Sequence, residues 1–261
     1  MVVLSAAGVM HRHTCATLLS AGLNVVGIVC CERRGPRARL EFLRKWVARR
    51  GLRLTAGQIL GRVYDRAKNR GRDAQVLRRL VDDAANRATI QRAGVPVVWS
   101  DSYARPDTLD ALRRLDPDIF VVHTKYIVGK RVRELARVAV IGGHPGVTPS
   151  YRGAYSPFWA LYRDQRDMVG FTVFLLDDGI DTGPILGQGC IPIVPGEDSH
   201  LTLAWKGMMQ SSELQARIVA RLDAGESVPT RPIDDVPQDS YFDVPTLGQF
   251  LRYRRVQASV R

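Results

Sequence analysis

The stretch "DIFVVHTKYIVGKRVRELARVAVIGGH" runs from Asp118 to His144. It holds two short runs rich in valine and isoleucine, "DIFVVHT" and "VAVIGGH", on either side of a helical pattern from Gly129 to Val138. The apolar residues are continuous and not alternating, which reads as strands buried on both faces. "MVVLSA", "LNVVGIVCC" and "VPVVWS" are upstream runs of the same kind, with helical patterns at Val9 to Ala21 and Thr108 to Leu115. Strands alternating with helices predict an α/β fold with a doubly wound, mainly parallel, Rossmann-like sheet. After Gly170 the pattern changes. "GFTVFLLDDGIDTGPILGQGCIPIV" predicts two added antiparallel strands joined by a loop from Asp177 to Pro184. A long helix follows, with Asp198 as its N-cap and Gly225 at its end.

Composition bounds the class. A chain of 261 residues is long enough to bury a core without disulfides or a structural metal. The four cysteines, Cys15, Cys30, Cys31 and Cys190, match no zinc spacing. Cys30 and Cys31 read as buried thiols at a strand end, and a reducing, cytoplasmic setting follows as the default. No apolar run approaches the ~18 residues of a membrane span, and no basic leader precedes the first apolar run. The loop after strand one contains only Gly8, so no dinucleotide fingerprint is present. No metal site is expected.

The net charge of +12 is concentrated. Between Arg33 and Arg79 there are 16 Lys/Arg against 3 Asp/Glu, a local balance of +13. This segment reads as helical. Leu40, Leu43, Trp46 and Val47 make one apolar face, continued by Leu60, Val63 and Ala67 and then by Val76, Leu77, Leu80 and Val81. A solvated basic face and a phosphate-binding face both fit the arginines. The segment has few aromatics to interleave with bases, so nucleic acid is not expected as a partner.

His144 ends the fifth strand, and ligands of such sheets bind beyond the strands' carboxyl ends. An imidazole suits proton transfer near pH 7 but needs an orienting partner. Asp181, framed by Gly179, Gly183 and Pro184, is the candidate. Pro145 and Pro149 stiffen the loop after His144, and Arg152 offers a planar donor fork for an anionic group.

"GGHPGVTPSYRGAYSPFWAL" from Gly142, with "DDGIDTGPIL" from Asp177, resembles the folate-dependent formyltransferase family over roughly Met1 to Ala224. The resemblance implies a sheet of the formyltransferase type. It also implies formyl transfer from 10-formyltetrahydrofolate to a primary amine, with His144 and Asp181 as catalytic residues. Tyr126, Ile127, Val128, Asp177 and Asp178 then lie in the two loops that grip the pterin. Arg152, Gly153 and Tyr155 lie on the acceptor side. The family places an asparagine two residues before the histidine, where this chain has Gly142. Losing one oxyanion donor costs about 3 kcal/mol. Three readings stay open: a substitute donor from His123, Thr124 or Lys125; a slow or hydrolytic enzyme; or a protein that only binds folate.

The implied acceptor is a small-molecule amine, an amino sugar or other specialised metabolite, with phosphate-bearing sugars ranked first. Methionyl-tRNA is a minor alternative, because only about 36 residues follow Gly225. The expected organisation is a catalytic domain over 1–225, with a basic helical insertion at 33–90 and a C-terminal extension over 226–261. A homodimer is left open.

Overall fold

The structure is a computed structural model and describes residues 1–33 and 35–259. Its main sheet has seven strands. They are β1 (Val2–Ala6), β2 (Gly27–Cys31), β3 (Val97–Ser100), β4 (Ile119–His123), β5 (Ala139–His144), β7 (Gly170–Leu175) and β8 (Ile185–Cys190). The order is β3-β2-β1-β4-β5-β7-β8. The first five strands are parallel, and β7 and β8 add antiparallel at one edge. This is the architecture expected from the continuous apolar runs and the change of pattern after Gly170. The short strands β6 (Arg152–Gly153) and β9 (Tyr241–Phe242) form a separate parallel pair.

Successive strand residues face opposite sides, and two cores result. Val3, Val121, Ile141 and Val173 pack with Leu18 of α1 (Val9–Ser20) and Val219 of α8 (His200–Asp223). Val2, Leu4, Phe120 and Val122 pack with Leu109 and Leu112 of α5 (Pro106–Leu115) and Val132 of α6 (Lys130–Arg133). The helix expected over Gly129 to Val138 is only this single turn. Arg137 and Val138 donate their amides to Pro117 and Asp118 carbonyls, which draws the chain into β5 before the helix can extend.

The basic segment forms α2 (Pro36–Arg50) and the 29-residue α3 (Leu52–Leu80), followed by α4 (Asp83–Ala93). Here the expected apolar face is corrected. Trp46, Val76 and Val81 are buried, but Leu40, Leu43, Leu60 and Val63 are exposed. The face that α3 buries is mostly polar, with Thr55, Gln58, Gly61 and Asp73 beside Val76. It packs on the C-terminal stretch, where Gln58 donates to the Val244 carbonyl and α9 (Leu247–Ser259) lies alongside. The extension is bound into the fold at α3, through β9 on β6, and through an Arg231–Ile185 bridge on β8, among other contacts.

The N-cap of α8 is Ser199, one residue beyond the expected Asp198. Ser199 and Thr202 form a reciprocal capping box, and Asp198 instead accepts from the Thr202 hydroxyl and from Lys206. All four cysteines are free, with Cys15, Cys30 and Cys31 buried. Among the described residues no helix is long and apolar enough to cross a membrane. None of them forms a cluster of three or more His, Cys, Asp or Glu placed to hold a metal.

Candidate active site at the end of β5

The strand β5 carries His144 to the carboxyl edge of the sheet, where it is 6% exposed. Its Nε2 lies 2.9 Å from the Tyr151 carbonyl and 3.0 Å from Ser156 Oγ. A carbonyl only accepts, so Nε2 carries the proton and donates. That leaves Nδ1 as the position that can take or give a proton. Nδ1 is 3.5 Å from Asp181 Oδ2, and the same oxygen accepts the Gly153 amide at 2.8 Å. Asp181 sits in the left-handed region at φ 55°, a conformation that aspartate tolerates better than most side chains. The pairing of His144 with Asp181 thus joins β5 to the β7–β8 loop and to the Arg152–Gly153 strand.

The two loops assigned to the pterin are tied together. Arg133 of α6 donates to the Val128 carbonyl at 3.1 Å and pairs with Asp178. Asp177 turns inward on its own loop, accepting from the Gly179 amide at 3.0 Å and the Thr182 hydroxyl at 2.9 Å. The Tyr126 hydroxyl accepts the Arg33 amide. Val128 is buried while Ile127 projects, 84% exposed.

On the acceptor side the picture is more constrained than a free donor fork. Arg152 donates through Nε to Ser240 Oγ at 3.0 Å and through Nη1 to the Ile180 carbonyl at 3.2 Å. It clamps the Asp181 loop to the C-terminal stretch. Tyr155 caps α7 (Ser156–Tyr162) in a left-handed conformation and stacks on His200, with ring centres 5.6 Å apart. Burial pushes its phenol up from the usual tyrosine range, against a hydrogen bond from Arg62.

The position of the family asparagine is filled. A Cβ at Gly142 would stand 2.5 Å from Leu176 Cδ1 and 3.1 Å from Phe174 Cζ. His123 does not replace it. A Cβ at Gly143 would meet His123 Nε2, so His123 lies on the sheet face opposite to that of Gly142 and His144. It is buried there, with Nε2 3.1 Å from Ser211 Oγ. The Thr124 hydroxyl accepts the Tyr126 amide. The exposed Lys125 lies over the Tyr126 ring, 5.4 Å from its centre. Sequence reasoning missed Ser156, Arg133 and Leu176. Only Ser156 left a local signal, as the residue before Pro157 at a helix start.

A family model described as formyl transferase matches residues 55–219. The chain is similar to the methionyl-tRNA formyltransferase of Synechococcus sp. (strain JA-3-3Ab), at 32% identity over 185 residues, 70% of this chain and 53% of that protein. It spans about half the length of the curated relatives it matches. Among solved structures, glycinamide ribonucleotide transformylase 1 from Symbiobacterium toebii superposes with a TM-score of 0.57 at 16% identity. That superposition covers 89% of this chain and 93% of the other. An N-formyltransferase from Helicobacter canadensis, in complex with folinic acid and dTDP-3-aminofucose, gives 0.53 at 14% identity, over 92% and 70%. At such identities these two structures speak for the fold alone. The family match extends over more than half of the sequence, from α3 to about one turn before the end of α8, and the chain belongs to the formyl transferase family.

Proposed function

We propose that the protein transfers a formyl group from 10-formyltetrahydrofolate to a primary amine of a small molecule. The observation that carries this reading is the His144–Asp181 pair, with Nε2 fixed by Tyr151 and Nδ1 facing the carboxylate. The folate supplies an activated formyl group on a nitrogen that leaves with a proton. The neutral amine attacks the formyl carbon, and His144 takes the proton of the ammonium so formed at Nδ1. Asp181 stabilises the resulting imidazolium, and that proton passes to the folate nitrogen as its bond to the formyl carbon breaks. The tied loops at Tyr126–Val128 and Asp177–Asp178 fit a pterin. Their backbone groups and the projecting Ile127 suit a flat ring, and carboxylates only accept from its N–H groups.

A second reading is favoured by one observation. Leu176 and Phe174 occupy the space of a donor at 142, which suits a slow, hydrolytic or purely folate-binding homologue. The test is a formyl-transfer assay with 10-formyltetrahydrofolate against amino sugars, nucleotide-linked amino sugars, other primary amines and methionyl-tRNA, read by mass shift. 5-Formyltetrahydrofolate binding is measured in parallel by calorimetry. Transfer to a small amine that is abolished by His144→Ala and by Asp181→Ala, with folate binding retained, is the expected result. Turnover indifferent to His144→Ala would overturn the mechanism. Folate binding without transfer to any amine would establish the second reading, and methionyl-tRNA as the best acceptor would replace the small amine.

A further inference from the structure

A cavity of about 340 Å³ lies where α3, the β8–α8 connection and α9 meet. Small-molecule sites run from roughly 300 to 1,000 Å³, so it is large enough to hold one. Lys68, Arg72, Arg166 and Arg254 line it, against two carboxylates, Asp65 and Asp198. Asp198 pairs with Lys206 at 2.7 Å and Arg166 with Asp164 at 3.5 Å, which leaves Lys68, Arg72 and Arg254 against Asp65, an excess of positive charge. His200 forms part of its wall and is 4% exposed. Its Nε2 faces Asp65 Oδ2 at 3.5 Å, and its Nδ1 has no partner. Arg72 Nε is likewise buried and unpaired. Buried polar atoms left unpaired are destabilising, and these two belong to residues that line one basic cavity. Leu161, Ile193 and Phe250 supply an apolar part of the wall.

This place is not the His144 centre. Ser156 hydrogen-bonds His144, while its neighbour Tyr155 stacks on His200. The two places thus adjoin neighbouring residues at the start of α7, and His144, Asp181 and Ser156 do not line the cavity.

We propose that the cavity is a separate binding site for an organic phosphate of about the size of a nucleoside phosphate. The guanidinium groups present planar donors to phosphate oxygens. The apolar wall takes the organic body, which free phosphate would leave without a counterpart. None of this depends on formyl transfer.

The test is calorimetry on the full chain with UDP, ribose 5-phosphate and inorganic phosphate, repeated with saturating 5-formyltetrahydrofolate. UDP or ribose 5-phosphate is expected to bind saturably and at least tenfold more tightly than inorganic phosphate, with no competition from the folate. Arg72→Met and Arg166→Met should each weaken that binding at least tenfold. Arg78→Met, an exposed α3 position outside the cavity, should not. A cooperative thermal melt of each variant establishes that it is folded. The proposal is overturned by any one of four results: no saturable binding of the organic phosphates, inorganic phosphate binding equally well, displacement by 5-formyltetrahydrofolate, or indifference to both cavity arginine substitutions.

Discussion

His144 and Gly142 project from the same side of β5 and have opposite surroundings. His144 is held by Tyr151, Ser156 and Asp181, whereas Gly142 is closed over by Leu176 and Phe174. A single Gly142→Asn substitution must push a Leu176 methyl aside, so it should lower the melting temperature and bring no gain in formyl transfer. Combined with Leu176→Ala, the asparagine gains room, and the rate should rise by up to roughly 10²-fold, the worth of one oxyanion donor. Steady-state kinetics of the two variants decide it; a gain from the single substitution would show that Leu176 moves freely. At this scale the sequence was informative about identity and silent about partners. His144 and Asp181 could be placed from a strand end and a Gly/Pro-framed turn. That His123 faces away from Gly142, or that Arg152 is spent as a clamp, follows from contacts no local pattern records.

Among the elements, α3 departs furthest from its sequence pattern. Its aliphatic positions Leu60 and Val63 point outward, and a polar stripe carries the packing. The reason is a partner remote in sequence. Gly61 lets α3 approach the turn before α9, where an added Cβ would stand 2.9 Å from the Leu247 amide nitrogen, the Pro245 carbonyl oxygen and Phe250. Two of those atoms are backbone and cannot swing away. Gly61→Ala should therefore destabilise the protein by about 1–3 kcal/mol, although alanine is the better helix former. Urea unfolding measures this, and a neutral or stabilising effect would mean that α3 is not seated on α9. Hydrophobic periodicity identifies a buried face when an apolar core receives it. Here the receiving surface offers carbonyls and the edge of an aromatic cluster, so periodicity pointed to the wrong side.

For the whole molecule, the buried His123 and the half-buried His11 set a pH dependence. Burial holds His11 down to about 4, with Lys125 and Arg12 adding to it and the His123 carbonyl opposing it. Burial, with His11 and His13 beside it, holds His123 down to about 3. In the unfolded chain both titrate near 6.5. The unfolded state therefore binds protons first, and the stability is full above about pH 6.5 and is lost as pH falls toward 4 and then 3. Each histidine contributes a slope of about 1.4 kcal/mol per pH unit in that window. Denaturant unfolding at pH 7, 6 and 5 should show the decline, and His11→Asn should remove about one proton's share of it. An unchanged slope in that variant would count against a His11 held neutral in the folded protein. The sequence by itself determined the sheet, because continuous valine and isoleucine runs are stable only when covered on both faces. It also determined that His144 stands at the sheet's carboxyl edge. The tertiary structure alone decided which face of α3 is buried, what fills the space beside Gly142, and that a basic cavity closes around His200. Each of these rests on segments far apart in the chain coming together, and the energy of such a contact belongs to the pair of surfaces and to neither stretch alone.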